Sequence, residues 1–227
     1  GVKVKDAKCS NSVRIASLLW YDALLAGGHD PGTVLRTSSL GPTNRDPPRM
    51  AQTPSSMVPL GTPMPAFELK TAEGIAYTST SLSGPNGLLV IFLCNHCPFV
   101  VHLADALGEL GDEFRDLGLG IVGITSNDVT NRAADAPEHM PAFAAAHGIG
   151  FPYLFDPTQQ VARSFNATCT PDFFLYDNTH RLVYRGQFDD TRPGDNATVT
   201  GSDLRNAMHA LCQQSSINPK QIPSMGC

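Results

Sequence analysis

Cys94 and Cys97 flank Asn95 and His96 in the stretch Phe92-Leu93-Cys94-Asn95-His96-Cys97-Pro98, so two thiols stand three positions apart with an imidazole between them. Residues three apart on a helical turn share a face, with β-carbons about 5–6 Å apart, and modest adjustment brings such a pair into disulfide range. The apolar run Leu88–Phe92 precedes the motif and a helical pattern follows from Pro98, which sets the thiols at a helix N-terminus. There, unpaired N–H groups and the macrodipole favour thiolate over thiol. In such geometry the first cysteine is usually the exposed one. Cys94 is therefore expected to attack a substrate disulfide and Cys97 to resolve the mixed disulfide. Asn95 and His96 are expected to tune the couple, a protonated His96 favouring the Cys94 thiolate and making the pair more oxidising.

Two other chemistries use the same residues. In one, a thiol of the pair reduces a hydroperoxide, passes through a sulfenic acid and is resolved by the other. In the other, the thiolates join His96 and nearby His102 around Cu(I) or Zn(II), as in a metallochaperone. The motif has no second CxxC or HxxxH mate in this chain, so no metal or other cofactor is expected. His139, His147 and His180 read as surface residues. The plain alternative for the two cysteines is that they are buried strand-end residues, since free cysteine packs as a small hydrophobe.

The elements that must position the thiols follow from periodicity. Phe67–Lys70 and Ile75–Tyr77 flank a glycine-containing turn, as in a short hairpin. Leu88–Leu93 is apolar without alternation, the pattern of a strand buried on both faces. Pro98–Leu117 carries Val101, Leu103, Leu107, Leu110 and Phe114 at helical spacing, and Leu119–Thr125 reads as a second buried strand parallel to the first. A helix is expected over Ala136–His147 with Pro141 in its first turn, a short extended segment over Phe151–Phe155, and a short helix over Pro157–Phe165. Phe173–Tyr176 and Leu182–Tyr184 form an antiparallel hairpin, and Gly201–Gln213 a last helix with Ser202 as N-cap. The fold class is α/β, a central mixed sheet with helices on both faces.

Three stretches carry a resemblance: Phe92–Val100, Cys169-Thr170-Pro171-Asp172-Phe173-Phe174-Leu175, and Tyr184–Gly194. With them the chain, from about Pro63 onward, resembles a thioredoxin-fold protein of the peroxiredoxin-like thioredoxin family, within the alkyl hydroperoxide reductase and thiol-specific antioxidant superfamily. The resemblance implies a thioredoxin-like fold and thiol–disulfide oxidoreductase activity. It implies a cis-proline at Pro171, which would leave the Thr170 backbone free to pair with an extended substrate and would hold metals off the thiols. Cys169 becomes a possible additional thiol, and Asp189, Asp190 and Arg192 candidates for a polar rim. The chain departs from thioredoxins in lacking a buried acid on Leu88–Val90 and a tryptophan-rich approach to the motif. It departs from peroxiredoxins in having Cys94 where threonine stands, with no clear counterpart of their peroxide-assisting arginine near Thr170.

Composition narrows the partners. Sixteen basic and 21 acidic residues give a net charge of −5 without a basic cluster, which argues against nucleic acid. No apolar run reaches the roughly 18 residues that span a bilayer, so no membrane insertion is expected. Six irregularly spaced cysteines do not make a disulfide scaffold, and Val13–Ala26 is not a clean secretory leader, so a cytoplasmic location is expected. The expected partner is a disulfide-containing or dithiol protein, with a hydroperoxide as the alternative substrate and a monomer or homodimer as the assembly. Residues 1–56 read as an extension or linker with a short helix near Val13–Leu24, and 57–227 as the thioredoxin-like domain with an irregular tail. Residues 1–49 are expected to be dispensable, and Cys227 is a further free thiol.

Overall fold

The computed structural model describes residues 52–227, so the expected helix near Val13–Leu24 and most of the expected linker lie outside the described residues. The chain runs through strand β1 (Thr53–Pro54), the hairpin β2 (Glu68–Thr71) and β3 (Ala76–Thr78), a single helical turn α1 (Ser79–Leu82), β4 (Gly87–Phe92), α2 (Pro98–Arg115) and β5 (Leu119–Thr125). It continues through α3 (Met140–Ala146), β6 (Tyr153–Phe155), α4 (Gln160–Phe165), β7 (Asp172–Tyr176), β8 (Leu182–Tyr184), α5 (Ser202–Cys212) and β9 (Met225–Gly226). Seven strands in the order β3-β2-β6-β5-β4-β7-β8 form one mixed sheet, and β1 pairs with β9 in a separate ribbon.

The strand that carries the thiols is the best anchored. β4 lies parallel to β5 and antiparallel to β7, and all its residues are buried. Leu89 and Ile91 pack on one face with Leu103, Leu107 and Leu110 of α2 and Leu204 and Met208 of α5. Leu88, Val90 and Phe92 pack on the other with Phe165 of α4 and Phe174. Full burial of each such side chain contributes about 1.5–3 kcal/mol, which is why an unalternating apolar run makes a central strand. In α2 the buried positions Phe99, Val100, Leu103, Leu107, Leu110 and Phe114 recur at helical spacing, and Pro98 occupies the first turn, where its missing N–H costs nothing.

Two expectations need correction. The folded unit begins before residue 57: β1 pairs antiparallel with β9 through Thr53↔Gly226 and Pro54↔Met225, and Ser55 Oγ donates to Asp172 Oδ1 at 2.9 Å. These are contacts of short polar residues with partners far along the chain, and they leave no periodic trace. The N-cap of α5 is Gly201, not Ser202. Gly201 has φ +65° and lies so close to the Phe188 ring that a Cβ would clash, so only glycine suits the position.

Candidate active site

The end of β4 hands Cys94 to a short loop, and Cys97 is the N-cap residue of α2; its carbonyl accepts the N–H groups of Val100 and Val101, both at 2.9 Å. The loop between the cysteines is pinned from below by one carboxylate. Asp135, fully buried in a 3-10 turn (Ala133–Asp135), accepts the backbone N–H of Asn95 at 2.8 Å and of His96 at 3.2 Å on Oδ1. Its Oδ2 faces His96 Nδ1 at 2.5 Å and accepts Asn127 Nδ2 at 2.8 Å. Asn95 donates to the Ala134 carbonyl and accepts from the Tyr153 hydroxyl at 3.1 Å, so Asn95 and His96 are both held in place.

Thr170 closes the site from the opposite side. Its Oγ1 lies 3.3 Å from Cys94 Sγ, and its carbonyl oxygen lies 3.1 Å from Cys97 Sγ, to which it is an acceptor when that sulfur is protonated. The Thr170–Pro171 peptide bond is cis.

The two sulfurs are not equivalent. Cys94 is 1% exposed and Cys97 0%, so exposure does not single out Cys94 as the attacking group. The Cys94 thiol, hydrogen-bonding toward Cys97, lowers the Cys97 pKa to about 5; the side chains of Cys227 and Thr170 and the Val100 N–H act in the same direction, against burial. Cys94 is pushed up, first by that same interaction, then by burial, and by the negative charge of Asp135, with only Thr170 opposing. Cys97 stands at the start of an 18-residue helix, beside a proton kept on the partner sulfur, and both features favour its thiolate.

The other candidates fall into place around this core. Cys169 is buried, its Sγ 3.6 Å from the Pro171 carbonyl, and burial followed by the Asp172 charge raises its pKa, which leaves a poor nucleophile. Asp189 and Arg192 form a clasp rather than a rim: Asp189 is buried and accepts N–H groups from Thr191, Thr200 and Gly201, while Arg192 bonds the Asp189 and Thr191 carbonyls and Gln187 Oε1. Burial pushes the Asp189 carboxyl up, but those donors prevail and its pKa is lowered. Asp190 is exposed. His102 contacts Thr191 Oγ1 at 2.9 Å. Cys94 Sγ, a His96 ring nitrogen and an Asp135 oxygen lie within 4.8 Å of one another, a possible donor set for a borderline cation. Both Asp135 oxygens and His96 Nδ1 are already engaged in hydrogen bonds, so a metal would have to displace them.

Sequence reasoning missed Asp135, Tyr153 and the Arg185–Asp172 pair. Arg185 is fully buried; its guanidinium bonds both oxygens of Asp172, reaches the Ser56 and Asn166 carbonyls, and stacks 3.6 Å from the centre of the Phe174 ring. This pair fixes the first residue after Pro171. The one available signal was the position of Asp172 next to that proline, inside an otherwise apolar strand.

Residues 60–185 match the model of the AhpC/TSA family. A Mycobacterium tuberculosis protein described as a candidate peroxiredoxin is 30% identical over 129 residues, which are 56% of this chain and 75% of that protein. A hypothetical protein of Sinorhizobium meliloti has a crystal structure with TM-score 0.75 and 44% identity, covering 77% of this chain and 96% of its own. An uncharacterised conserved protein of Geobacillus kaustophilus gives TM-score 0.76 and 39% identity, over 79% of this chain and 95% of its own. The thioredoxin-like fold extends to more distant structures, among them a candidate thiol:disulfide interchange protein of Chlorobium tepidum at TM-score 0.53 and 19% identity, covering 69% of this chain and 99% of its own.

Proposed function

Because the chain belongs to the AhpC/TSA family, and its fold holds two unequally ionised thiols in one buried niche, we propose that it is a thiol–disulfide oxidoreductase that cycles Cys94 and Cys97 between dithiol and disulfide. The carrying observation is the shared niche: Thr170 touches both sulfurs, and Cys97 is the N-cap residue of α2. In reduction of a substrate disulfide, the Cys97 thiolate attacks one sulfur, the substrate S–S bond breaks, and one substrate thiolate leaves. Cys94 then attacks Cys97 Sγ, the mixed disulfide breaks, and the second thiolate departs; the substrate gains the two electrons the pair loses.

The order of events follows from the electrostatics. While Cys97 is anionic it holds the proton on Cys94; once Cys97 is tied up in the mixed disulfide that restraint is gone, and Cys94 ionises when it is needed as the resolving group. The His96–Asp135 pair, within 4.8 Å of Cys94 Sγ, is placed to accept its proton. This reverses the roles expected from the sequence, with Cys97 attacking and Cys94 resolving. The partner is a dithiol or disulfide protein.

A second reading is hydroperoxide reduction, favoured by the same low-pKa Cys97 and by the family. In it the Cys97 thiolate takes the distal oxygen of the peroxide as a sulfenic acid, the alcohol or water leaves, and Cys94 expels water in forming the disulfide. Arg185 cannot serve as a peroxide-polarising group, since it is committed to Asp172 and two carbonyls. Stopped-flow oxidation of the reduced protein separates the two. Fast exchange with a protein disulfide and slow reaction with hydrogen peroxide and organic hydroperoxides fits the oxidoreductase; the opposite ranking replaces it with the peroxidase. Failure of a Cys94–Cys97 disulfide to form in any thiol buffer defeats both.

A further inference from the structure

The backbone of Thr170, the edge on which an extended substrate would lie, is already paired. Thr170 N–H donates to the Cys227 carbonyl at 3.1 Å, and Cys227 N–H donates to the Thr170 carbonyl at 3.3 Å. The segment that makes this pairing is built in. β9 lies against β1, Ser224 Oγ donates to the Pro171 carbonyl at 2.8 Å, and the Ser55 N–H donates to the Ser224 carbonyl at 2.8 Å. Gly226 crosses so close to the Thr170 backbone that any Cβ would collide with it, so the approach depends on glycine at this position. The segment thus reproduces the backbone hydrogen bonding of strand addition, the mode by which extended peptides dock on exposed sheet edges. It also brings a third cysteine to the dithiol: Cys227 pairs by its backbone with Thr170, whose carbonyl oxygen lies 3.1 Å from Cys97 Sγ, while Cys227 itself is exposed and both motif cysteines are buried. Beside it opens a cleft of about 240 Å³ lined by Asn127, Arg163, Thr168, Thr170 and Cys227 among others.

We propose that Cys227 is the exchange thiol between the buried Cys94–Cys97 pair and protein partners, presented by a segment that occupies the substrate edge of Thr170. The inference rests on the oxidoreductase reading above. In the reduced protein burial and then the Cys97 sulfur push the Cys227 pKa up to about 12. In the oxidised protein the Cys97 contribution is gone, and the Cys227 thiolate attacks Cys97 Sγ; the Cys97–Cys227 bond forms, the Cys94–Cys97 bond breaks, and Cys94 leaves as a thiolate that takes the proton Cys227 gave up. No electrons are gained or lost in this step. A dithiol partner entering by the cleft then attacks the exposed Cys227 sulfur and expels the Cys97 thiolate, and its second thiol releases Cys227. The partner ends as a disulfide and the protein as a trithiol, so two electrons pass inward; the reverse sequence passes them outward. Cys97 suits the leaving role because a low-pKa thiol departs faster.

The test is disulfide mapping of the full chain, oxidised with diamide and quenched with N-ethylmaleimide, by mass spectrometry of its peptides. The expected result is a Cys97–Cys227 linkage alongside Cys94–Cys97 in the wild type, and Cys97–Cys227 as the main linkage in Cys94→Ser. Gly226→Ala should lower its yield about tenfold in the Cys94→Ser background, with circular dichroism confirming the fold. Formation of Cys94–Cys97 in the wild type with no Cys97–Cys227 peptide in either protein overturns the relay and leaves the oxidoreductase reading standing. Absence of both linkages from the wild type overturns the two together.

Discussion

Thioredoxin-type attacking thiols have a pKa near 7, whereas Cys97 is held at about 5 by the Cys94 thiol and its neighbours. The extra ionisation does not make it a better attacker, because intrinsic nucleophilicity falls with pKa along a Brønsted slope of about 0.4–0.5. The advantage lies in stabilising the reduced form and in departure. At pH 7 the lower pKa favours the dithiol, because the reduced form gains a stabilised thiolate that the disulfide lacks. The couple is expected to be more oxidising than thioredoxin, whose potential is about −270 mV, when equilibrated with glutathione buffers; a midpoint at or below the thioredoxin value rejects the low-pKa assignment. The same shift sets a pH dependence. The Cys97 pKa is lower in the folded protein than in the unfolded chain, whose thiol has a pKa of about 8.5, so between about pH 5 and pH 8.5 the unfolded state binds more protons. Stability of the reduced protein therefore rises with pH across that window, is complete above the unfolded value, and is lost as pH falls through about 5. Thermal melts of the reduced wild type at pH 5 and pH 8 should separate, and those of Cys97→Ala should separate less.

The elements around the thiols divide by how they announce themselves in sequence. β4 and α2 were legible because burial on two faces demands an unbroken apolar run and burial on one helix face demands a repeat near 3.6. Asp135 was not: it sits among alanines in Ala133-Ala134-Asp135-Ala136, and its meaning lies in N–H groups about 40 positions away in the chain. Replacing it by alanine orphans the Asn95 and His96 N–H groups and the Asn127 amide. Hydrogen bonds to a charged group contribute about 1.5–3 kcal/mol each, softened by loop relaxation, so a loss near 3 kcal/mol in urea unfolding is expected. Asp135→Asn should cost less and, by removing a charge that raises Cys94, should ease ionisation of the resolving thiol. Arg185 and Asp172 obey a different rule. Burial raises the Asp172 pKa and the guanidinium beside it pulls the other way, so Arg185→Ala strands a buried carboxylate at a cost of about 3–5 kcal/mol. The paired replacement Arg185→Met with Asp172→Leu should recover much of that stability, whereas a loss in the double variant equal to the sum of the two single losses would show that the partners act independently.

At the scale of the whole molecule, the sequence carried the α/β class, the order of the strands and helices, and the placement of Cys94, Cys97, Thr170 and Pro171 at one end of the sheet. It did not carry the closure of that end. β1, β9, Ser55, Ser56 and Cys227 come from stretches rich in proline, serine and glycine, where no period marks a strand, yet they meet at Pro171 and Asp172. The start of the folded unit can be argued from those contacts. A chain without residues 1–51 keeps every contact made among the described residues, and it is expected to keep its urea midpoint and its Cys94–Cys97 disulfide. Deleting residues 1–58 removes the Ser55 hydroxyl from Asp172, the Ser56 carbonyl from Arg185 and the strand partner of β9. Arg185 and Asp172 remain paired, so the loss is that of two hydrogen bonds to buried charged groups, about 3–6 kcal/mol at the roughly 1.5–3 kcal/mol expected of each. The same deletion frees β9 from its neighbour, so the loss of stability should come with faster alkylation of Cys227, read by timed labelling and mass spectrometry. Equal midpoints and equal labelling rates for the two truncations would show that residues 52–58 do not close the site.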